Sequence, residues 1–442
     1  MLHIRLLALL ALLLSLEVVS AQEPITLAER FDPSVAYRVE LKVRLAGRLA
    51  VPVEKGKPPQ ILPMVGNSTL TYDERPLPAE EANTARVMRN YREVDLQRTL
   101  DGKEQKAEIR PAVRRMVVMR SDKGKKAPFS PDGPLMWGEI DVVRTDLFSP
   151  VLVPGLLPTR AVRPGDRWSA SAGAVAELTD FDPIEQGGLT VEFAGLVTLE
   201  GRRYAKLLIA GTVTGNTQDG PSRQKLDGMA YFDLDIQRLA YLNLTGRHEL
   251  LGPGNTTVGR IDGTFVLTRG PVGRIADLTD EALRGLDLRP TSTNTELLYD
   301  NPDLGIRFNY PRRWRVGAIE GRRLTIDESS GGGILVQVES PEELPSVDQY
   351  LKETKDFIRG QKWNVLGQEA PRRVADRPVR IDRFAFDAEV NKQKVRLEYA
   401  VLSQAEGGVT MAGRIPWNDR DDLGRDFERI VRTLTVTRRI EK

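Results

Sequence analysis

The chain has 442 residues, with 64 basic and 62 acidic side chains, 40% hydrophobic residues, no cysteine and two histidines. This length predicts two domains, and the balanced charge gives no indication of electrostatic binding to nucleic acid or to an anionic membrane. The lack of cysteine excludes disulfides, thiol nucleophiles, cysteine metal sites and the modified cysteine of a lipoprotein.

Residues 1–21 have the pattern of a cleavable export signal. Arg5 supplies positive charge, residues 6–16 form a leucine-rich run that is short for a membrane span, and residues 19–21 are followed by Gln22 at the expected cleavage site. We therefore expect an exported protein, periplasmic, at the cell surface or secreted, with no membrane span after cleavage. An uncleaved signal that stays as an anchor is the alternative.

A β-rich domain is expected over residues 22–270. Residues 37–45 alternate apolar and charged side chains, which predicts a strand with one buried and one wet face. Residues 52–83 are rich in proline and glycine and predict a long excursion with a short strand at 68–72. Further extended segments are predicted at 85–100, 107–120 and 138–144, with a hairpin turn at Asp101 and Gly102.

The second half of this domain predicts a meander. Four prolines between residues 148 and 168 bar regular helix and central strand there. Strands joined by short turns must pair antiparallel, so we expect a curled, half-barrel-like sheet. The predicted strands are 189–199, 204–214, 224–234, 239–251 and 257–268.

A linker is expected over residues 271–296, where Gly270 and Pro271 end the last strand and residues 279–286 form a short helix. From residue 297 to 437 the pattern is mixed α and β. A helix is predicted over 346–359, capped by Ser346 and Gln349 and ended by Gly360, and a last helix is capped by Asn418. Strands are predicted at 306–309, 323–327, 334–339, 379–388, 394–403 and 408–416.

Two resemblances to known families follow from these segments. A short strand with Tyr299, then GIRFNYPRRW at 305–314 and a last helix ending VRTL at 431–434, resembles PsbP-like and DcrB-like domains. That resemblance implies an antiparallel sheet flanked by helices and a binding or assembly module without catalytic residues. VRPGDRW at 162–168 and YFDLDIQRL at 231–239 resemble, more distantly, the half-barrel of exported LolA-like carriers.

Candidate catalytic motifs are incomplete. His248 and Glu249 begin like a zinc-protease helix, but Gly252 stands where the second histidine is needed, and we expect His248 on a strand. Residues 262–264 contain the residue types of an aspartic-protease loop in the wrong order and are interpreted as a tight bend. The glycines at 331–333 lack the lysine of a phosphate-binding loop and predict a hairpin turn.

Other clusters are interpreted as solvated or structural. Trp168 and Trp314 are expected to close the sheets as core residues. The acidic group has the ligands for calcium but not the spacing of a calcium loop, and the basic run could meet a polyanion but is expected to be a charged turn. These groups are Asp180, Asp182 and Glu185, and Arg114, Arg115, Arg120, Lys123, Lys125 and Lys126.

The sequence therefore predicts an α+β protein of two domains and no catalytic, metal or cofactor-binding residues. We expect a non-catalytic exported protein with a role in binding or envelope assembly, its protein partner or apolar ligand unknown. Two alternatives stay open. One is a carrier of an apolar ligand or lipid in a cavity lined by Val39, Leu41 and Val43, and the other is a carboxylate-based hydrolase.

Overall fold

The structure is a computed structural model that describes residues 23–51, 60–78, 85–120, 126–145, 148–150, 152–217, 220–376 and 378–442. The predicted signal at 1–21 and the basic residues Lys123 and Lys125 lie outside this part. Contacts group the chain into two compact units. The first takes residues up to 107, 119–125 and 145–279, and the second takes 108–118, 126–144 and 280–442.

This division differs from uninterrupted domains at 22–270 and 297–437, because residues 108–118 and 126–144 group with the C-terminal part. Each unit is built on antiparallel sheets, as predicted.

The first unit contains one long sheet with strand order β3-β2-β1-β12-β11-β10-β9-β8-β7, and β4 pairs with β3. All pairs in it are antiparallel, and the meander β8 to β12 confirms the predicted strands. The strands are β1 (Ala36–Val51), β2 (Gln60–Pro76), β3 (Arg86–Leu100), β4 (Lys103–Lys106), β7 (Arg167–Ser169), β8 (Ile184–Leu199), β9 (Arg202–Thr217), β10 (Gly220–Asp233), β11 (Arg238–Leu251) and β12 (Thr257–Val272).

The alternation in β1 sets the two faces of this sheet. Val39 and Leu41 are buried and define the inner face, whereas Arg38, Lys42 and Arg44 are exposed and define the outer face. Apolar side chains on the neighbouring strands, such as Leu242, Leu244 and Leu267, continue the inner face, so the period of two predicted from the sequence is confirmed.

The predicted excursion at 52–83 is wrong over most of its described length. Residues 60–76 form β2, which pairs with β1 on one side and β3 on the other. The prolines stand near the ends, at Pro63 and Pro76, where they do not prevent a central strand between them. The two paired neighbours satisfy the backbone, which local propensity could not show.

The segment predicted as extended at 138–144 is instead helix α1 (Trp137–Arg144). The Glu139 carboxylate accepts a hydrogen bond from the Met136 backbone N–H at 2.7 Å and so caps the first turn. Ile140 and Val143 are buried three residues apart on one face. Of the predicted segment 107–120, only Arg115–Arg120 is a strand, β5, and a 3₁₀ turn precedes it at Pro111–Val113.

The end of the first unit also differs from the prediction. Strand β12 does not stop at Gly270 and Pro271 but runs to Val272, where Ala36 and Tyr37 of β1 pair with it. Pro271 has no backbone N–H to donate, but the residues on either side of it complete the hydrogen bonds between β1 and β12.

Helix α2 (Ala172–Thr179), capped by the Ser171 hydroxyl, was not predicted from the sequence.

The second unit has a three-stranded sheet, order β13-β14-β22, and a seven-stranded sheet, order β15-β16-β17-β21-β20-β19-β18. The predicted helix at 346–359 is confirmed as α4, and Ser346 accepts a hydrogen bond from the Gln349 N–H at 3.2 Å. The elements are β6 (Lys126–Phe129), α3 (Asp280–Leu283), β13 (Leu297–Asn301), β14 (Ile306–Tyr310), β15 (Trp314–Glu320), β16 (Arg323–Glu328), β17 (Gly333–Glu339), α4 (Val347–Gly360), β18 (Asn364–Ala375), β19 (Arg380–Val390), β20 (Gln393–Gln404), β21 (Gly407–Pro416), α5 (Arg420–Thr433) and β22 (Thr435–Val436).

The last helix begins one residue later than predicted, because Asp419 and not Asn418 occupies the N-cap position, without a side-chain capping bond. Its inner face is buried and includes Phe427 and Ile430. Strands β15 and β18 were not predicted; β18 is an edge strand, largely exposed, with three register shifts. Among the described residues, no helix is long and apolar enough to cross a lipid bilayer.

Candidate binding groove

Three tyrosines stand side by side on the outer face of the first unit's sheet. The Tyr204 and Tyr231 ring centroids lie 6.1 Å apart, and those of Tyr231 and Tyr241 lie 5.6 Å apart. Each ring is half-buried, so one part of it packs on the sheet and the other is open to solvent. Such a row offers flat apolar surface with a hydroxyl at each edge.

Strand register places these rings together. Tyr231 of β10 is the direct partner of Tyr241 of β11, and the neighbours Ala230 and Phe232 point to the buried inner face. The period of two therefore directs Tyr231 outward. The turn after β10 is held by Asp233, whose Oδ1 accepts hydrogen bonds from the backbone N–H groups of the next turn residues.

The tyrosines line an open groove of about 820 Å³, which we call the tyrosine groove. Its floor includes one continuous row of cross-strand partners on five neighbouring strands. Neighbouring strands are about 4.8 Å apart, so this row gives a ligand a path across the strands on the order of 20 Å long. The row is Thr71, Glu40, Thr268, Tyr241 and Tyr231.

Charged side chains frame the tyrosine groove. Arg38 pairs with Asp73, Nε to Oδ1, at 2.9 Å, and its side chain stays 44% exposed, so it can also reach a ligand. The Glu40 carboxylate lies 2.7 Å from Lys42 Nζ and is 41% exposed. Arg202, also exposed, lies 3.8 Å from the buried carboxylate of Asp233. The groove thus combines apolar rings with donors and acceptors of both charges.

Two of the carboxylates that line the tyrosine groove already have partners. The Asp233 carboxylate is already committed to its turn, and Glu40 is paired with a lysine. Across the described residues, no group of three or more histidine, cysteine, aspartate or glutamate side chains could hold a metal ion. The arrangement offers stacking and hydrogen bonding to a ligand.

A second groove, about 570 Å³, lies at the other end of the same outer face; we call it the polar groove. It is lined by Arg44, Asn67, Lys225 and Asp227 with residues of β11 and β12. Asp262 accepts hydrogen bonds from Arg247 at 3.1 Å and Arg260 at 2.9 Å, and these bonds lower the pKa of Asp262. Among the described residues that line the polar groove, none is aromatic.

The inner face carries a buried charge network that the sequence analysis missed. The Glu74 carboxylate accepts hydrogen bonds from Arg89 Nε at 3.0 Å and from Arg269 Nη2 at 2.9 Å. All three side chains are at most 2% exposed. Glu29 accepts the Leu239 N–H at 2.8 Å. Burial raises the pKa of Glu29, although Arg269 at 3.7 Å opposes the shift.

Tyr37 sits within the same network. The guanidinium of Arg238 lies 3.8 Å from its ring centroid and that of Arg269 lies 5.1 Å away. Burial raises the pKa of the Tyr37 hydroxyl. Arginine stacked on an aromatic ring keeps its charge while most of its surface is removed from water. These groups hold β1, β2, β3, β11 and β12 in register beneath the outer face.

His248 lies on strand β11, as predicted, with Gln224 and Ile261 as its cross-strand partners. Its ring is half-buried, 5.9 Å from the ring of Phe181. Asp262 and its neighbours at 262–264 keep regular pairing with both β1 and β11, so the predicted tight bend is wrong. His248 lines neither of the two grooves.

The remaining candidates are separate from the tyrosine groove. The glycines at 331–333 lie at the predicted hairpin between β16 and β17, and Gly331 has φ of +99°. Trp314 is fully buried and donates to Asp426 at 2.8 Å, while Trp168 is half-buried and donates to the Leu156 carbonyl at 2.9 Å. The acidic residues Asp180, Asp182 and Glu185 contribute no metal-ligating group in the described chain, and Glu185 accepts a hydrogen bond from Asn216.

Val39, Leu41 and Val43 are buried on the inner face and line neither groove. The basic run is divided: Arg115 pairs with Asp132, whereas Arg120 lies at the end of β5.

The tyrosine groove was not predicted from the sequence. The signal that could have found it is the outward position of tyrosines in three consecutive strands of the predicted meander, read together with the lengths of the turns.

No family model matches the chain, and no curated protein matches it. The solution structure of cyanobacterial PsbP (CyanoP) from Synechocystis sp. PCC 6803 is 12% identical, with a TM-score of 0.26, over 32% of this chain and 92% of that one. A structure described as lipid-protein interactions in lipovitellin is 10% identical, with a TM-score of 0.34, over 56% of this chain and 26% of that one. Neither likeness carries an argument about function.

Proposed function

We propose that the protein is a non-catalytic, exported binding protein and that its ligand lies in the tyrosine groove. The observation that carries the proposal is the row of Tyr204, Tyr231 and Tyr241, half-open to solvent on the floor of a groove about 820 Å³ in volume. Binding sites combine such apolar surface with a few polar groups that fix the ligand's orientation. The exported location, a half-barrel-like curl of the β domain and a PsbP-like second domain belong to the same proposal.

The lining favours an amphipathic ligand with flat faces. An apolar chain would remove Arg38, Glu40 and Arg202 from water without offering them hydrogen bonds in place of that water, which costs free energy. An oligosaccharide has both apolar ring faces for the tyrosines and hydroxyls for the charged side chains. The path across the row, on the order of 20 Å, suits several sugar units. We therefore infer an oligosaccharide-type ligand.

Titration calorimetry on the protein without residues 1–21 tests this proposal. The probes are a panel of soluble envelope-type oligosaccharides and, separately, a long-chain fatty acid. Tyr231→Ala should weaken oligosaccharide binding about tenfold, because it removes the central ring. Tyr231→Phe should keep most of the affinity, since the stacking surface remains.

Lys225→Ala, in the polar groove, is the matched control and should bind like the unchanged protein. Binding of the fatty acid in place of the oligosaccharides would support the carrier alternative and reject the proposed ligand. Cleavage of an oligosaccharide during the titration, lost in Glu40→Gln, would support the hydrolase alternative and reject the non-catalytic function. Binding that Tyr231→Ala leaves intact would remove the tyrosine groove as the site.

A further inference from the structure

Two arginines stack on one tryptophan in the second unit. The Arg315 guanidinium carbon lies 4.2 Å from the ring centroid of Trp137, and that of Arg144 lies 5.3 Å from the same centroid. Trp137 and Arg144 belong to helix α1, and Arg315 belongs to strand β15. Two like charges therefore share one indole ring.

A third arginine joins them. Arg312 donates from Nε to the Thr295 carbonyl at 2.7 Å and from Nη2 to the Pro128 carbonyl at 2.5 Å. Arg315 Nη1 donates to the Arg312 carbonyl at 2.8 Å, so the two residues are in direct contact. Burial, and then repulsion by Arg144, lower the pKa of Arg312 to about 10. We call Arg144, Arg312 and Arg315 the arginine cluster.

Several acidic side chains on the surrounding elements are already paired with arginines outside the cluster. Glu139, one of the two acidic residues of α1, receives three hydrogen bonds from Arg110 and one from the Met136 N–H. Within the described ranges, no carboxylate pairs with any member of the arginine cluster, and Arg144 Nε is buried without a hydrogen-bond partner. The other ion pairs between nearby carboxylates and arginines outside the cluster are Arg115–Asp132, Arg313–Asp426 and Arg429–Glu296.

Stacking on Trp137 accounts for part of this arrangement but not for all of it. A single cation on a ring is favourable, yet a second and a third guanidinium nearby repel the first. A buried N–H without an acceptor adds a further cost. An anion with several oxygens would relieve both, because guanidinium groups bind phosphate through paired hydrogen bonds.

We propose that the arginine cluster is a binding site for a phosphate group, held between the guanidinium groups of Arg144 and Arg315 beside Trp137. Arg312 supplies charge while its carbonyl contacts hold β15 in place. The site lies in the second unit and does not depend on the function proposed for the tyrosine groove.

Thermal unfolding and tryptophan fluorescence test the site with inorganic phosphate as the probe, at constant ionic strength set with chloride. Phosphate at tenfold excess over its Kd should raise the Tm of the unchanged protein by roughly 3 °C or more, with saturation. The double variant Arg144→Gln, Arg315→Gln should lose this rise. The matched control Arg307→Gln, Arg323→Gln removes two other arginines of the second unit's sheets and should keep it.

Saturable quenching or enhancement of fluorescence by phosphate, absent in Trp137→Phe, would support the site even if the double variant fails to fold. A Tm rise that is equal in the unchanged protein and the double variant, or one that chloride reproduces, would overturn the proposal. Sedimentation with phosphatidylcholine vesicles containing phosphatidic acid separates the sources. If the protein sediments with these vesicles and the double variant does not, the ligand is a lipid phosphate. If the protein binds inorganic phosphate but does not sediment with the vesicles, the ligand is a soluble phosphate.

Discussion

A buried charge network in the first unit contrasts with an apolar core cluster in the second. The inner face of the first unit's sheet carries a connected set of ionised side chains, with Glu74 between Arg89 and Arg269. A core cluster of the second unit is apolar and aromatic, built around Phe384, which stacks on Tyr399 with ring centroids 4.9 Å apart. The other buried members of that cluster are Ile358, Phe386, Ala388, Val390, Val395 and Leu397.

The difference shows two ways of fixing strand register. An apolar cluster tolerates exchange of similar side chains, because packing has no fixed direction. A buried carboxylate must meet its arginines, since any slip by one residue would leave charges unpaired inside the protein. The long strands of the first unit, up to 17 residues in β2, have more wrong registers to avoid. We infer that its charge network selects the register on which the tyrosine groove depends.

The largest effect is expected from Glu74→Ala. It leaves Arg89 and Arg269 buried without their shared carboxylate, which should lower the free energy of unfolding by about 3–5 kcal/mol. Urea unfolding followed by circular dichroism measures this loss. Glu93→Ala, an exposed carboxylate on β3, is the control and should stay within about 0.5 kcal/mol of the unchanged protein. A similar small loss for Glu74→Ala would show that the network does not stabilise the first unit.

A smaller effect is expected in the apolar core from Phe384→Leu. The change removes the ring that stacks on Tyr399 and meets Tyr350 edge-on at 5.7 Å, but leaves an apolar side chain in place. We expect a loss of about 1–2 kcal/mol. Phe357→Leu, where the ring is 53% exposed, is the control in the same unit. If Phe384→Leu costs as much as Glu74→Ala, the contrast between the cores is wrong.

The charge network should also give the first unit a distinct pH dependence. Burial raises the pKa of Glu29 above its ordinary value of 4.5, so the folded state holds this proton more tightly than the unfolded chain. The resulting stability is fully present below the unfolded-state pKa and is lost as pH rises through the folded-state pKa. Glu29→Gln cannot titrate and lacks this component.

The measurement is urea unfolding of both proteins from about pH 4 to about pH 7. The stability of the unchanged protein relative to Glu29→Gln should fall as the pH rises. The opposite trend would mean that Arg269 and the Leu239 N–H lower the pKa of Glu29 by more than burial raises it.

The sequence alone predicts those elements whose structure is determined by local patterns. The meander from β8 to β12 was predictable because strict alternation and short turns leave antiparallel pairing as the solution. Helix α4 was predictable from Ser346 and the apolar spacing behind it. By contrast, β2 was missed because its pairing partners, not its own residues, make it a strand.

The functional features were harder to predict because they depend on register. Glu74 and Arg89 violate the rule that charged residues lie outside, and nothing local shows that they are partners 15 residues apart. Tyr231 lies directly opposite Tyr241, and Tyr204 lies two residues along β9 from Lys206, the other partner of Tyr231, so the row depends on how three strands align. The sequence predicts an extended segment at helix α1 because its two valines favour strands, whereas the cap from Glu139 becomes visible only in the structure.

The smallest effect is expected from His248→Gln, which tests whether the first unit's polar residues are structural or catalytic. His248 is the histidine that remains after removal of residues 1–21, and its side chain is the one whose ordinary pKa lies near neutrality. The ring is half-buried near Phe181 and lies outside both grooves, so we expect a loss of stability under about 1 kcal/mol and unchanged oligosaccharide binding. Calorimetry and urea unfolding measure the two quantities on the same preparation. If the unchanged protein hydrolyses a ligand, and His248→Gln abolishes hydrolysis while circular dichroism shows the fold intact, the protein is an enzyme whose active site includes strand β11.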